Sequence, residues 1–501
     1  MSQATADRSA PAGDEQGTEL KRVMGPGLLL LFIVGDILGT GIYALTGDVA
    51  QEVGGAVWAP FVVAFAVAML TAFSYLELVT KYPQAAGAAL YAHKAFGIHF
   101  LTFLICFTVM CSGITSASTA SKAFASNLAK GFGLDSSSPL LVTGIALGFM
   151  ALVAIVNLRG VGESVKANVV LTLVELSGLL LVIMVGLFAI FGGKGDFSRA
   201  VVFDSPSDKN AFFAVTAATA LAFFAMVGFE DSVNMAEETK DPERVFPKMM
   251  ITGLSITGVI YVLVGLVSVI LVPVGELGDS DTPLVSVVEA AAPGIPIDTL
   301  LPFISMFAVA NSALINMLMA SRLLYGMARQ SVLPPVLGRV HRTRRTPWVA
   351  ILFTTVLAAG LILYVSSAST DAVATLGGTT SLLLLAVFTV VNICVLVLRR
   401  TDRDHDRVRT DLDGNPLNDR EPAPTATFRT PTVMAVAGAL ACAFLVTPMS
   451  GRDPEQYAVA GWLLALGLVL WVLTWLANRG LRARRTMVHD AADLSGGEPD
   501  D

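Results

Sequence analysis

The sequence predicts an all-α polytopic membrane protein of about twelve spans, built as a 5+5 inverted repeat in which helices 1 and 6 are discontinuous. Three observations predict it. Of the 501 residues, 54% are apolar and 15% charged, with a mean hydropathy of +0.69, a balance that excludes an ordinary soluble protein of this length. The apolar residues fall into runs that reach the roughly 20 residues a membrane span requires. Two of those runs, five spans apart, are interrupted by glycines and carboxylates where a membrane helix should be most regular.

The runs start near Gly27, Val57, Gly97, Pro139, Lys166, Ala211, Lys248, Leu301, Pro347, Asp371, Pro431 and Tyr457. Pro283–Ala292 is too short to cross and is expected as an outer loop helix. The chain thus divides into a polar tail (1–24), a ten-helix transport core (25–400, with repeats over about 25–192 and 211–398), a charged loop (401–430), two further spans (431–478) and a second tail (479–501). With the N-terminus cytoplasmic, 27 of the 33 Lys and Arg lie on inner segments. That asymmetry sets orientation, whereas the net charge of −7 adds little because acids count weakly. Both termini are therefore expected in the cytoplasm and the chain in the cytoplasmic membrane. Lys122 lies about 37 Å along a helix from Gly97 and is expected to snorkel at the outer surface. The acidic opening from Met1 to Glu19 has no signal-peptide pattern, so the first run is expected to be retained.

Cys106, Cys111, Cys394 and Cys442 all sit in apolar runs and are expected as free thiols. The five histidines lack metal-ligand spacing, and neither a metal, a cofactor nor a nucleic-acid partner is expected. No nucleophile elbow, His-rich cluster or phosphate loop points to an enzyme. The expected partners are a small solute and the lipid bilayer.

The first interruption is Gly35-Asp36-Ile37-Leu38-Gly39-Thr40-Gly41. Gly39 lies about 18 Å along a helix from Gly27, near the middle of a roughly 30 Å hydrocarbon core. Backbone freed there must face protein or a water-filled cavity, and half-helix ends in a cavity form a site for a small charged solute. A Gly-rich helix used for close packing is the alternative. Asp36 either caps the broken end or offers negative charge to a cationic solute, with capping favoured.

The second interruption runs from Phe223 to Asp231 in the sixth span. Glu230 and Asp231 in succession are costly at membrane depth. They are expected at the N-terminus of a second half-helix, where the positive dipole end stabilises a carboxylate. Acids near the cytoplasmic water are the alternative. Paired breaks in spans 1 and 6 fit an inverted repeat, because an odd number of spans reverses the second unit.

Glu175 stands about 14 Å into the fifth span among hydrophobes. An isolated, desolvated carboxyl favours its proton-bound form, which makes Glu175 a candidate proton acceptor; a packing hydrogen bond to a neighbouring helix is the alternative. In the eighth span Asn311, Ser312, Asn316 and Ser321 form a polar stripe that lines a cavity or binds adjacent helices. Glu77 is expected as a solvated or paired interfacial residue.

Several separated motifs carry a family resemblance: Gly-Asp-Ile-Leu-Gly-Thr-Gly-Ile-Tyr at 35–43, Tyr82-Pro83-Gln84-Ala85-Ala86-Gly87-Ala88, and Asn157-Leu158-Arg159-Gly160-Val161. Two more are Gly228-Phe229-Glu230-Asp231 with Glu237-Glu238 and Pro242, and Ser321 to Arg329. On these the chain resembles bacterial permeases of the amino acid/polyamine/organocation superfamily, in the branch similar to cationic amino acid transporters. The resemblance implies the fold of leucine-type sodium symporters and alternating access around a central site. It implies that the substrate carboxylate meets Thr40 and Gly41, with Gly39 before them, and that its ammonium meets carbonyls of Ile37, Phe224, Ala225 and Val227. Phe224 occupies the position where relatives close an aromatic lid. Many relatives carry a lysine in the fifth span, and this chain aligns Glu175 there. Proton coupling through Glu175 is favoured, and Na⁺ held by Glu175, carbonyls of the first span and Ser312 is the alternative. The function expected is import of an amino acid, with a polyamine or organic cation as the rival solute.

Overall fold

The structure, a computed structural model, describes residues 24–406 and 426–480 apart from short gaps at 85–86, 136–137, 160–164, 204–209, 237, 295–296, 343, 345 and 370. The two tails, most of the expected 401–430 loop, and Glu237 and Gly160-Val161 of the quoted motifs lie outside the described residues.

Among the described residues the regular structure is helical. The first span is two helices, α1 (Pro26–Ile37) and α2 (Thr40–Val53), and α3 (Trp58–Lys81) is the second. A short helix, α4 (Gly87–Phe96), precedes α5 (His99–Gly131), α6 (Pro139–Arg159) and α7 (Val165–Phe191). The sixth span opens with α8 (Ala211–Ala225), and the seventh is α9 (Pro242–Leu271). Two short loop helices follow, α10 (Val274–Gly278) and α11 (Pro283–Ala291), the second of them at the expected loop position. The remainder is α12 (Ile297–Arg329), α13 (Trp348–Ala368), α14 (Ala372–Asp406), α15 (Thr432–Val446) and α16 (Pro454–Gly480). Ten helical segments are long and apolar enough to cross a bilayer, and α8 and α15 are shorter apolar helices. All four cysteines are free.

Both breaks are present. Leu38 and Gly39 separate α1 from α2. After Ala225 the chain turns through Met226–Glu230 and resumes as a single 3-10 turn, Asp231–Met235. The expected second half-helix is therefore shorter and tighter than a regular α-helix. The chain has little length for more, because Thr239 already pairs with Met24 in a backbone bridge and α9 starts at Pro242. Met24 N–H donates to Glu238 O at 3.0 Å and Lys240 N–H to Met24 O at 2.9 Å, tying the start of α1 to the end of the sixth span.

Lys122 is 9% exposed; its Nζ lies 3.5 Å from Thr143 Oγ1, and it interacts with Asp371 and with the exposed Asp281, which stand just before α14 and α11.

On the face where α1 begins, Glu77 of α3 forms an interlock. It is buried, receives Arg399 Nε of α14 at 2.7 Å, pairs with Arg399 Nη2 and accepts the Thr430 N–H at 2.7 Å. Phe428 stacks on Phe73 beside it. Removing one partner of such a buried pair strands the other charge. Glu77→Ala is expected to destabilise the protein by about 3 kcal/mol, read as a lower apparent Tm in detergent, with part of the loss recovered on adding Arg399→Met.

Candidate functional site

The two breaks touch through backbone. A Cβ at Gly41, in the first turn of α2, would overlap the Cα of Ala225 at the end of α8. Gly228 has φ +126°, a conformation L side chains rarely adopt, and a Cβ there would stand 2.6 Å from the Asp36 carbonyl oxygen. Glycine at these two positions lets the start of α2 and the end of α8 meet at one point.

The freed backbone groups are partly claimed. Tyr261 Oη of α9 donates to Ile37 O at 2.6 Å, and Gly228 N–H donates to Glu230 Oε2 at 2.9 Å. Glu230 thus serves the turn before its own residue and makes no side-chain cap on the 3-10 turn that follows. Gly39 is the N-cap of α2 and has no side chain with which to cap it. Asp36 lies in the last turn of α1. The first N–H groups of α2, on Thr40, Gly41 and Ile42, have no intrahelical acceptor.

A small pocket of about 30 Å³ occupies the junction, lined by Asp36, Ile37, Gly39, Thr40, Gly41, Ser116, Phe224, Val227, Gly228, Asp231, Ser312 and Asn316. Ser116, Val227, Asp231 and Asn316 also line a larger cavity of about 550 Å³. That cavity reaches Met24, Asn157, Glu238 and Arg322 on the face where α1 begins, and Glu230 lines it too. Of the residues singled out from the sequence, Ala225 lines neither space and acts as the packing surface for Gly41.

Glu175 also lines neither space. It is fully buried, and its backbone carbonyl accepts from Tyr43 Oη of α2 at 2.8 Å. Its two carboxyl oxygens are buried without a partner at hydrogen-bonding geometry, and the Asn311 amide of α12 is the polar side chain that faces it. One turn earlier Thr172 Oγ1 packs on Gly35. Ser312 lines the pocket, and Glu175 packs where α7 meets α1.

Ser116 was not singled out from the sequence, and Gly228 was noted only within the Gly228-Phe229-Glu230-Asp231 motif. Ser116 sits in a hydroxyl-rich stretch of α5 in which Thr115, Ser118, Thr119 and Ser121 donate to carbonyls one turn back. Ser116 instead accepts from Asn316 Nδ2 of α12 at 3.3 Å. The signal was the density of hydroxyls; which of them turns inward depends on where α12 lies.

Comparison with known proteins gives this geometry its context. The amino acid permease family model matches residues 28–475. The chain belongs to the amino acid permease family. Among its relatives is the methylthioribose transporter of Bacillus subtilis (strain 168), 28% identical over 416 residues, covering 78% of this chain and 84% of the relative. The branched-chain amino acid permease BcaP of the same organism is 26% identical over 476 residues, covering 91% and 93%. Cationic amino acid transporter 9, chloroplastic, of Arabidopsis thaliana is 31% identical over 348 residues, covering 65% of this chain and 58% of the relative. This permease is a multi-pass membrane transporter of a small solute and not an enzyme.

The contact at Gly41 supplies a test. Gly41→Leu wedges α2 from α8 and is expected to reduce uptake to background while membrane insertion and the gel-filtration profile stay unchanged. Uptake close to that of the parent protein would place the site elsewhere.

Proposed function

We propose that this permease is a secondary transporter of the cytoplasmic membrane that imports an amino acid by alternating access, with both termini cytoplasmic and a proton as the coupling ion. One observation carries the proposal: a helix start with glycine at its N-cap and a helix end meet in a single polar pocket. Free N–H groups at a helix start suit an anion, and free carbonyls at a helix end suit a cation. A zwitterion has both. Its carboxylate meets the N–H groups of Thr40 and Gly41. Its ammonium meets carbonyls of Val227 and of Phe224, which also accepts from the Val227 N–H at 3.4 Å, with Asp36 and Asp231 adding negative charge. The Ile37 carbonyl, already an acceptor for Tyr261, keeps a second lone pair for the same ammonium. Phe224 and Val227 supply an apolar wall for the side chain.

Two relatives, a branched-chain amino acid permease and a cationic amino acid transporter, support an α-amino acid. Two carboxylates in the pocket lining, Asp36 and Asp231, favour a second reading, a polyamine or organic cation without a carboxylate. With the N-terminus inside, the 550 Å³ cavity is the route of release to the cytoplasm.

Glu175 supports the proton. Its carboxyl is buried where α7 packs against α1, with no partner at hydrogen-bonding geometry, so a coupling proton exchanged there requires the packing to open to water. Ser312 lines the pocket whereas Glu175 does not, which favours a proton over one Na⁺ held by both.

In proteoliposomes with separately imposed H⁺ and Na⁺ gradients, uptake of labelled L-leucine, L-arginine and putrescine distinguishes these readings. Amino acid uptake driven by an inward H⁺ gradient, and rising as external pH falls, is expected. Uptake of putrescine alone would replace the amino acid, and a requirement for Na⁺ would replace the proton. Glu175→Gln is expected to flatten the pH dependence; an unchanged profile removes Glu175 from coupling.

A further inference from the structure

Arg452 lies outside the ten-helix core, in the turn between α15 and α16, yet it is 6% exposed. Its guanidinium donates to the Leu445 carbonyl at 2.7 Å, the Gly378 carbonyl at 2.8 Å, Gln456 Oε1 at 2.9 Å and Ser381 Oγ at 2.7 Å. Gly378 and Ser381 belong to α14, and Ser381 Oγ in turn donates to the Ala220 carbonyl of α8 at 2.5 Å. The rigid planar fork of an arginine thus joins the hairpin to two core helices at once.

The same turn rests on α8 at three more points. Thr216 Oγ1 donates to the Ser450 carbonyl at 2.9 Å. A Cβ at Gly451 would stand 3.0 Å from the Phe213 carbonyl and 3.3 Å from the Ala217 Cβ. Positions 213, 216, 217 and 220 are one stripe of a helix, spaced i, i+3, i+4, i+7. One turn further along that stripe is Phe224, which lines the pocket. Next to Gly378, a Cβ at Gly377 would stand 3.3 Å from the Phe224 ring, so α14 backs the aromatic side chain at the height where Arg452 grips it.

We propose that Arg452 is a positioning residue for the transport site: through Ser381 and Gly378 it holds the α8 stripe and α14 together and so sets where Phe224 stands in the pocket. This makes the last two helices part of the substrate machinery. The inference rests on the reading of Phe224 as a wall of the site, and the test separates the two.

The full-length protein, with its four native cysteines replaced by alanine, receives a cysteine by Phe224→Cys and is labelled in detergent with a small cationic methanethiosulfonate. Arg452→Gln is expected to raise the labelling rate at 224 about tenfold, the effect of losing hydrogen bonds to a charged group. A cysteine placed instead by Ser116→Cys, on α5 across the pocket, is expected to keep its rate. Ser381→Ala leaves the bonds of Arg452 to Leu445, Gly378 and Gln456 intact and is expected to give a smaller rise at 224, which covers the case in which Arg452→Gln fails to fold. An unchanged or slower rate at 224 overturns the inference, and so does an equal rise at 116, which marks general loosening. Uptake by Phe224→Ala is measured separately: if it equals that of the parent protein, Phe224 is no part of the site, whatever the labelling shows about Arg452.

Discussion

The structure depends on one constraint: backbone N–H and C=O groups at mid-membrane depth must find partners in protein or face a cavity. Two breaks placed side by side meet it together. Gly41 on Ala225 and Gly228 on Asp36 bring the freed peptides to one point. Tyr261 then takes the carbonyl of Ile37, and Glu230 takes the N–H of Gly228. What is left over is the start of α2, with a glycine at its N-cap, opening on the pocket. The pocket is therefore what an incomplete satisfaction of the main chain leaves behind.

The helices around the junction carry many hydroxyls. Most of those on α5 donate to their own helix one turn back, which satisfies them without demanding a partner. Such side chains are small enough for α5 and α12 to pack closely. Against that background the few polar groups that look elsewhere are informative: Asn316 reaching Ser116, and Glu175 held behind α1 with Asn311 facing it.

The two ends of the molecule are held in different ways. On the face where α1 begins, the Glu77–Arg399 pair and the Thr430 main chain tie α3, α14 and the approach to α15, while Met24 zips α1 to the sixth span. On the opposite face, Arg452 ties the α15–α16 turn to α14 and, through Ser381, to α8. Each tie crosses from one helix pair to another, so movement of the broken spans is constrained at both ends by groups far apart in sequence.

Hydropathy and glycine placement alone determined the helical class, the span positions and the two interruptions, because those follow from local rules: a run of about 20 apolar residues spans a bilayer, and Gly-Asp-Ile-Leu-Gly-Thr-Gly cannot continue a regular helix at mid-depth. The first interruption and the polar stripe of the eighth span also brought Thr40, Gly41 and Ser312 to notice, and the family resemblance brought Phe224. Tertiary structure decided the rest. It shortened the second half-helix to a short 3-10 segment, brought Lys122 to Asp281 and Asp371, and faced Glu175 with Asn311. It also chose Ser116 among its neighbouring hydroxyls and carried Arg452 into the core. These outcomes depend on which helix faces which, and the partners lie up to a few hundred residues away along the chain, as Ser116 and Asn316 do at a separation of 200. A periodic pattern can place a side chain on a face of its own helix, but the neighbour that meets that face is fixed only when the bundle packs.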